Sequence, residues 1–261
     1  MSFELISPDD WIKEQVKAVQ DYSLVAAHSI GNLFIGPRYF ADAVEQADLI
    51  GVGSVFIVSL AGFFTAGALA QNSGTTLQRF GSLNLIGQLV SLGMVQELGP
   101  VITGLMVAGR NASGIASELG SMVVTEQMDA MRALGTDPMK KLVTPRVVST
   151  VLMLFFLTII ADACGIFGGG VASSLFFGVD MHQYLTSSWQ VLVFQDVFTG
   201  LPKPVLFGFI ISTIGCYYGI SARGGTQGVG RATTQAVVAS SILIIAIDFF
   251  VTRASAILFN R

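Results

Sequence analysis

Residues 49–69 read LIGVGSVFIVSLAGFFTAGAL, twenty-one consecutive positions without a charge. At 1.5 Å per residue a helix of that length spans about 30 Å, the thickness of a bilayer's hydrocarbon core. Four more apolar segments follow. Leu83–Ala108 contains one charge, Glu97. Val147–Phe167 holds Asp162 near its end and runs on into Gly168-Gly169-Gly170. Val205–Ile220 is uncharged and extends back through Lys203, flanked by Pro202 and Pro204. Ala236–Phe259 carries Asp248 and Arg253. The expected fold is all-α, a polytopic membrane protein with about five transmembrane helices. It forms a single domain over residues 1–261: an N-terminal interfacial helix region in 1–45 and the five-helix core in 46–261.

Composition agrees. Charged residues make up 12% of the chain, about half the share of soluble domains, and the mean hydropathy is +0.68. No basic stripe supports nucleic-acid binding. Cys164 and Cys216 both fall in apolar runs and read as buried thiols rather than a disulfide. His28 and His182 stand apart from any ligand cluster, so no metal site is expected.

An enzyme is not indicated either. None of the five lysines follows a glycine, which excludes a P-loop in this chain. The GGTQGVG run at Gly224–Gly230 does not match a dinucleotide fingerprint and reads as a turn between membrane helices. No arrangement of Ser, His and Asp suggests nucleophilic catalysis. Catalytic residues and cofactors are therefore expected to be absent here.

Basic residues set the expected orientation. Arg132, Lys140, Lys141 and Arg146 lie between the second and third segments, and Arg223 and Arg231 between the fourth and fifth. Lys13, Lys17 and Arg38 precede the first segment. The first-to-second connection has only Arg79, and Phe176–Gln195 has no basic residue. The N-terminus is accordingly expected in the cytoplasm and the C-terminus outside. Residues Met1–Asp10 lack the features of a secretory signal. Beyond them Trp11, Ile12, Val16, Val19, Ser23, Ala26 and Ile30 share one helical face, with Asp10, Glu14, Lys17 and Asp21 mostly opposite. That pattern suggests a helix lying in the membrane interface.

The polar stretch Arg110–Pro138, RNASGIASELGSMVVTEQMDAMRALGTDP, interrupts the apolar pattern. Lipid cannot satisfy such a segment, so it belongs in water, against a partner or along a protein-lined cavity. From Thr125 onward Met128, Met131 and Leu134 recur at three-residue spacing, with Glu126, Asp129 and Arg132 between them and Asp137 beyond. This predicts a short amphipathic helix with a Met-rich docking face, inside a cytoplasmic coupling region spanning 111–146. On the helix leading into it, Gly104, Ala108, Ala112, Ala116 and Gly120 repeat every four residues, with Gly109, Ser113, Ser117 and Ser121 beside them. Such a face allows close helix contact, expected within one subunit.

Ionised groups at mid-bilayer cost about 2.5–3.5 kcal/mol on insertion scales. Glu97, Asp162 and Asp248 should therefore face protein or a wet cavity. Asp196 and Lys203 are seven apart and share a face if their helix is continuous. Glu97, beside Gln96 and three residues before the helix-perturbing Pro100, is the foremost candidate for lining a polar lipid path, together with Asp248, Lys203 and Asp196. The opposing reading is that these residues are structural pairs.

QELGPVITGLMVAGR at Gln96–Arg110, SELGSMVVTEQMDAMRALGTDP at Ser117–Pro138, TPR at Thr144–Arg146, the glycine triplet, Asp196 and Lys203, GVGRATT at Gly228–Thr234 and Asp248 together resemble the MlaE/YrbE permeases. These are membrane subunits of MCE-associated ABC transporters. The resemblance covers nearly everything from Leu49 to the C-terminus. It implies a homodimer in a bacterial inner membrane, moving phospholipid between that membrane and the outer envelope and so maintaining outer-membrane lipid asymmetry. It also implies cytoplasmic ABC ATPase subunits that bind ATP and Mg, docked on the Thr125–Leu134 helix. An MCE-domain protein ring is implied on the periplasmic side, and there is room for a small cytoplasmic regulatory subunit. One position departs from the pattern: Gln96 stands where the family carries arginine. The competing class is an ion-coupled secondary transporter or channel using the intramembrane acids, against which the chain shows no obvious inverted repeat.

Overall fold

The computed structural model describes residues 8–34 and 39–258. The described chain forms eight helices: α1 (Pro8–Phe34), α2 (Phe40–Arg79), α3 (Leu83–Val124), α4 (Gln127–Ala133), α5 (Met139–Phe177), α6 (Met181–Val191), α7 (Phe194–Ile220) and α8 (Gly225–Leu258). Five of them, α2, α3, α5, α7 and α8, are long and apolar enough to cross a membrane. They match the five predicted segments in order. The helices outrun those segments because only the lipid-facing portion of a membrane helix must be apolar. The boundary expected at 45/46 falls inside α2.

Small residues decide the packing. In α2 every fourth residue from Ser54 to Gly74 is buried (Ser54, Val58, Gly62, Ala66, Ala70, Gly74), and this ridge lies along α5. At Gly62 a Cβ would come within 2.6 Å of the Ala161 carbonyl, and at Gly168 it would strike the Phe63 carbonyl. The two backbones therefore touch directly. The Gly104–Gly120 stripe packs within the subunit, as expected. Gly104 faces Phe207 and Ile244, Gly120 faces Ala222 and Val229, and Ala112 and Ala116 meet Gly215 and Gly219 of α7. The adjoining stripe stays open, with Gly109 and Ser121 exposed.

The two ends of the bundle differ. At one end α6 packs on α3 through Tyr184 and Ser188, whose hydroxyl donates to the Gly87 carbonyl at 3.1 Å. Burial raises the Tyr184 phenol above the usual tyrosine range. The Phe176–Gln195 stretch is thus largely a packed helix. At the other end lies α4, with α1 alongside. Tyr22 of α1 hydrogen-bonds Thr213 at 3.1 Å and sits edge-on to Tyr217, and Ser29 is buried. Val16, Val19 and Ile30 of the expected interfacial face remain exposed. The side chains of Trp11 and Ile12 lie outside the described residues. Cys164 and Cys216 are free thiols.

The helix leading into the polar stretch is α3 itself, which continues through Arg110–Val124, and Met139 already begins α5. Only the short α4 and its flanking turns separate the two spans, and Glu126 enters α4 with a left-handed φ of 59°.

Candidate functional site

Pro100 prepares the site. It has no N–H to offer the carbonyl four residues back, so the Gln96 carbonyl loses its α-helical partner. The preceding residues, Met94–Leu98, form a π-helical turn, a local widening often found at functional positions. Lys203 Nζ reaches across from α7 and donates to the Gln96 carbonyl at 2.8 Å.

Lys203 is fully buried, and each of its three ammonium protons has an acceptor. Besides Gln96, it donates to Glu97 Oε2 at 2.8 Å and to Thr252 Oγ1 at 2.8 Å. Thr252 in turn donates to Glu97 Oε1 at 2.9 Å. A fourth neighbour, Asp248 Oδ1, lies 2.9 Å from Nζ as an ion pair but makes no hydrogen bond. Asp248 and Thr252 are one turn apart on α8, so both face the same ammonium. Pro202 and Pro204 sit in the first turn of α7's long segment, where their missing N–H groups cost nothing.

Asp196 joins from the side. Its Oδ1 accepts from Gln96 Nε2 at 2.6 Å, and its Oδ2 accepts from the Val193 backbone N–H at 3.0 Å. A turn at Leu201 interrupts α7 between Asp196 and Lys203, yet both reach the π-helical turn. All six residues expected to line a polar path, Gln96, Glu97, Pro100, Asp196, Lys203 and Asp248, therefore converge. Glu97 is the most open of the three carboxylates, with its side chain 37% exposed. It borders a cavity of about 130 Å³, lined also by Gln96, Gln195, Thr199, Thr252 and Ser255. Glu97 thus has a buried cationic partner and also borders a cavity.

Sequence reasoning missed Thr252, although its four-residue spacing from Asp248 was a usable signal. Asp162 does not join the network. Its Oδ1 lies against Gly99 where a Cβ would sit, and it has no hydrogen-bond partner.

The second predicted group, around α4, needs revision. Met128 is buried against Ile115, Leu119, Val143 and Val147, and Met131 packs against the same cluster. The methionines serve the protein's own core and form no outward docking face. The outward face is instead Thr125, Glu126, Asp129, Arg132 and Leu134. Arg132 pairs with Asp129 at 2.9 Å while both stay exposed. Asp137 accepts the Met139 N–H at 3.0 Å and shapes the turn into α5. Nearby, buried Arg146 donates to Glu118 at 2.8 Å and ties α5 to α3.

The family model "Permease MlaE" matches residues 43–254. A protein of Rickettsia typhi described as a probable ABC transporter permease is 41% identical over 243 residues, covering 92% of this chain and 94% of its own. The intermembrane phospholipid transport system permease protein MlaE of Haemophilus influenzae is 32% identical, covering 82% of this chain and 83% of its own. The chloroplastic trigalactosyldiacylglycerol 1 protein of Arabidopsis thaliana is 34% identical over 87% of this chain and 65% of its own.

Proposed function

The chain belongs to the MlaE permease family of ABC transporters, and we propose that it moves phospholipid between a bacterial inner membrane and the outer envelope. In this reading a second copy of the chain and cytoplasmic ABC ATPase subunits complete the membrane engine. An MCE-domain ring receives or delivers lipid on the periplasmic side and supports outer-membrane asymmetry, and a small cytoplasmic regulatory subunit is accommodated. The α4 end faces the cytoplasm and the α6 end the periplasm.

The observation that carries this reading is the Lys203 network and its adjoining cavity inside an otherwise apolar bundle. A fully buried ammonium needs the carboxylates for its own neutrality. Glu97, Gln96 and Thr252 nevertheless present polar atoms to the cavity, where a headgroup can exchange hydrogen bonds with them. Glu97 contributes on its cavity side, and Lys203, Asp248 and Asp196 hold it in place.

Coupling follows from how α4 is anchored. The partner ATPase binds the outward face of Glu126, Asp129, Arg132 and Leu134. Met128 is wedged among α3 and α5 residues, so displacing α4 moves both spans, because packed interiors transmit strain. Transport requires that the two resulting states differ in affinity for lipid.

The test is reconstitution of the permease with its ATPase and outer partner between two labelled vesicle populations. ATP-dependent phospholipid movement that falls at least tenfold in Glu97→Leu, with assembly intact, is the expected result. Movement independent of ATP and abolished by an ionophore would instead identify an ion-coupled carrier.

A further inference from the structure

Among the described residues the chain forms three π-helical turns, and two of them share one arrangement. Met94–Leu98 is followed by Gly99 and Pro100, and Met139–Val143, which opens α5, is followed by Thr144 and Pro145. In each the proline removes a backbone donor, and a buried cation caps a carbonyl inside the turn. At the first turn that cation is Lys203. At the second it is Arg146, which donates to the Leu142 carbonyl at 2.8 Å.

Arg146 also joins the second turn to the third, Ala108–Ala112 of α3. Its other amino group donates to Glu118 Oε2 at 2.8 Å. Its carbonyl accepts from Thr150 Oγ1 at 2.7 Å, and Thr150 Oγ1 accepts from Asn111 Nδ2 at 2.9 Å. Asn111 belongs to the third turn, and Arg146, Thr150 and Asn111 are all buried. At the other end of these bonds, Met128 of α4 packs in one cluster with Val143, the last residue of the second turn. Toward the Lys203 site, Gly99–Val107 is unbroken α-helix of nine residues. It moves as one rod of about 13 Å, and it abuts the turn that carries Gln96 and Glu97.

Arg146 Nε is buried and has no acceptor among the described residues. A donor left unpaired inside protein is costly, and a second arrangement of these bonds would satisfy it. The π-helical turns supply the means to move, because they let a helix change register without breaking.

We propose that Arg146, with Thr150 and Asn111, is a positioning clamp that delivers ATPase-driven motion of α4 to the turn holding Glu97. The proposal rests on the reading of α4 as the ATPase dock. Packing alone passes a push to α3 and α5 separately, whereas the clamp makes their registers move together.

The complete complex of permease, ATPase and outer partner in nanodiscs tests this. Hydrogen exchange is followed by mass spectrometry over residues 139–146 and 106–113, before and after a non-hydrolysable ATP analogue is added. In the wild type both stretches should change. Thr150→Val loses the hydroxyl but keeps the branched shape. In that variant the change in 139–146 should persist, and the change in 106–113 should fall about fivefold. Thr150→Ser should restore it. In vesicles, phospholipid moved per ATP hydrolysed should fall by the same factor in Thr150→Val, with hydrolysis and the unfolding midpoint at wild-type values. If Thr150→Val does not fold, Glu118→Ala carries the same comparison from a half-exposed position. A wild-type response of 106–113 in both variants overturns the proposal. So does a proportional fall of hydrolysis and lipid movement with a lower unfolding midpoint, which marks a merely structural bond. No change in 139–146 of the wild type refutes the α4 dock and the clamp together. Wild-type exchange changes without any lipid movement refute the phospholipid reading alone.

Discussion

Replacing Lys203 by methionine removes the cation that holds Glu97 and Asp248 together. At an effective dielectric of about 20, an ion pair at 2.8–2.9 Å is worth about 6 kcal/mol of attraction. Burying the ammonium cancels several kcal/mol of that, and the 37% exposure of Glu97 screens its share further. The variant loses the attraction and leaves Asp248, only 16% exposed, beside a second carboxylate. Breaking such a buried pair costs about 3–5 kcal/mol. The midpoint of thermal unfolding, read by fluorescence in detergent, should fall by about 10 °C. Adding Glu97→Gln and Asp248→Asn to Lys203→Met removes the stranded charges and should restore more than half of the loss. A single variant as stable as wild type, or a triple variant no better than the single one, refutes the claim that charge neutralisation holds this part of the bundle.

Three further outcomes are expected. Gly62→Ala puts a methyl 2.6 Å from the Ala161 carbonyl, whereas Gly67→Ala meets Ala172 at an ordinary 3.7 Å; the first should cost about 1–3 kcal/mol in unfolding assays and the second close to nothing. Arg132→Glu changes only the exposed face of α4, so unfolding should be unchanged while co-purification of the ATPase falls; Met128→Asp should instead unfold the protein, since it buries an unpaired charge. Cysteines placed at Thr136 and Gln227 should be labelled from the cytoplasmic side of oriented membranes and one at Gln190 from the opposite side, and reversed labelling would invert the assigned orientation.

Much of the site was legible along the chain because intramembrane charges are costly and therefore conspicuous. Glu97, Asp248 and Lys203 stood out against uncharged surroundings, and Pro100 marked where the backbone would lack a donor. Their convergence was not legible, since the contacts join residues 96–97 to 203 and 248–252. The α4 reading failed for a related reason. A three-residue recurrence of methionines shows that a helix has two faces but not which face meets the protein. Met128 is buried because α4 is short and is folded back under α3 and α5, where its apolar side finds the core before any partner can.

Sequence alone therefore determined the five crossings and the residues that had to be shielded from lipid. Length and hydropathy are properties of single helices, and hydrocarbon imposes the same demand on each. It also marked the small-residue ridges along which helices would approach. Tertiary structure decided which ridge met which helix, and which carboxylate kept a face toward a cavity. Those outcomes depend on the summed fit of several helices, and no local pattern encodes that sum. Glu97 shows the division plainly: the chain declares that its charge needs a partner, and only the packing of α3, α7 and α8 supplies Lys203 on one side and open space on the other.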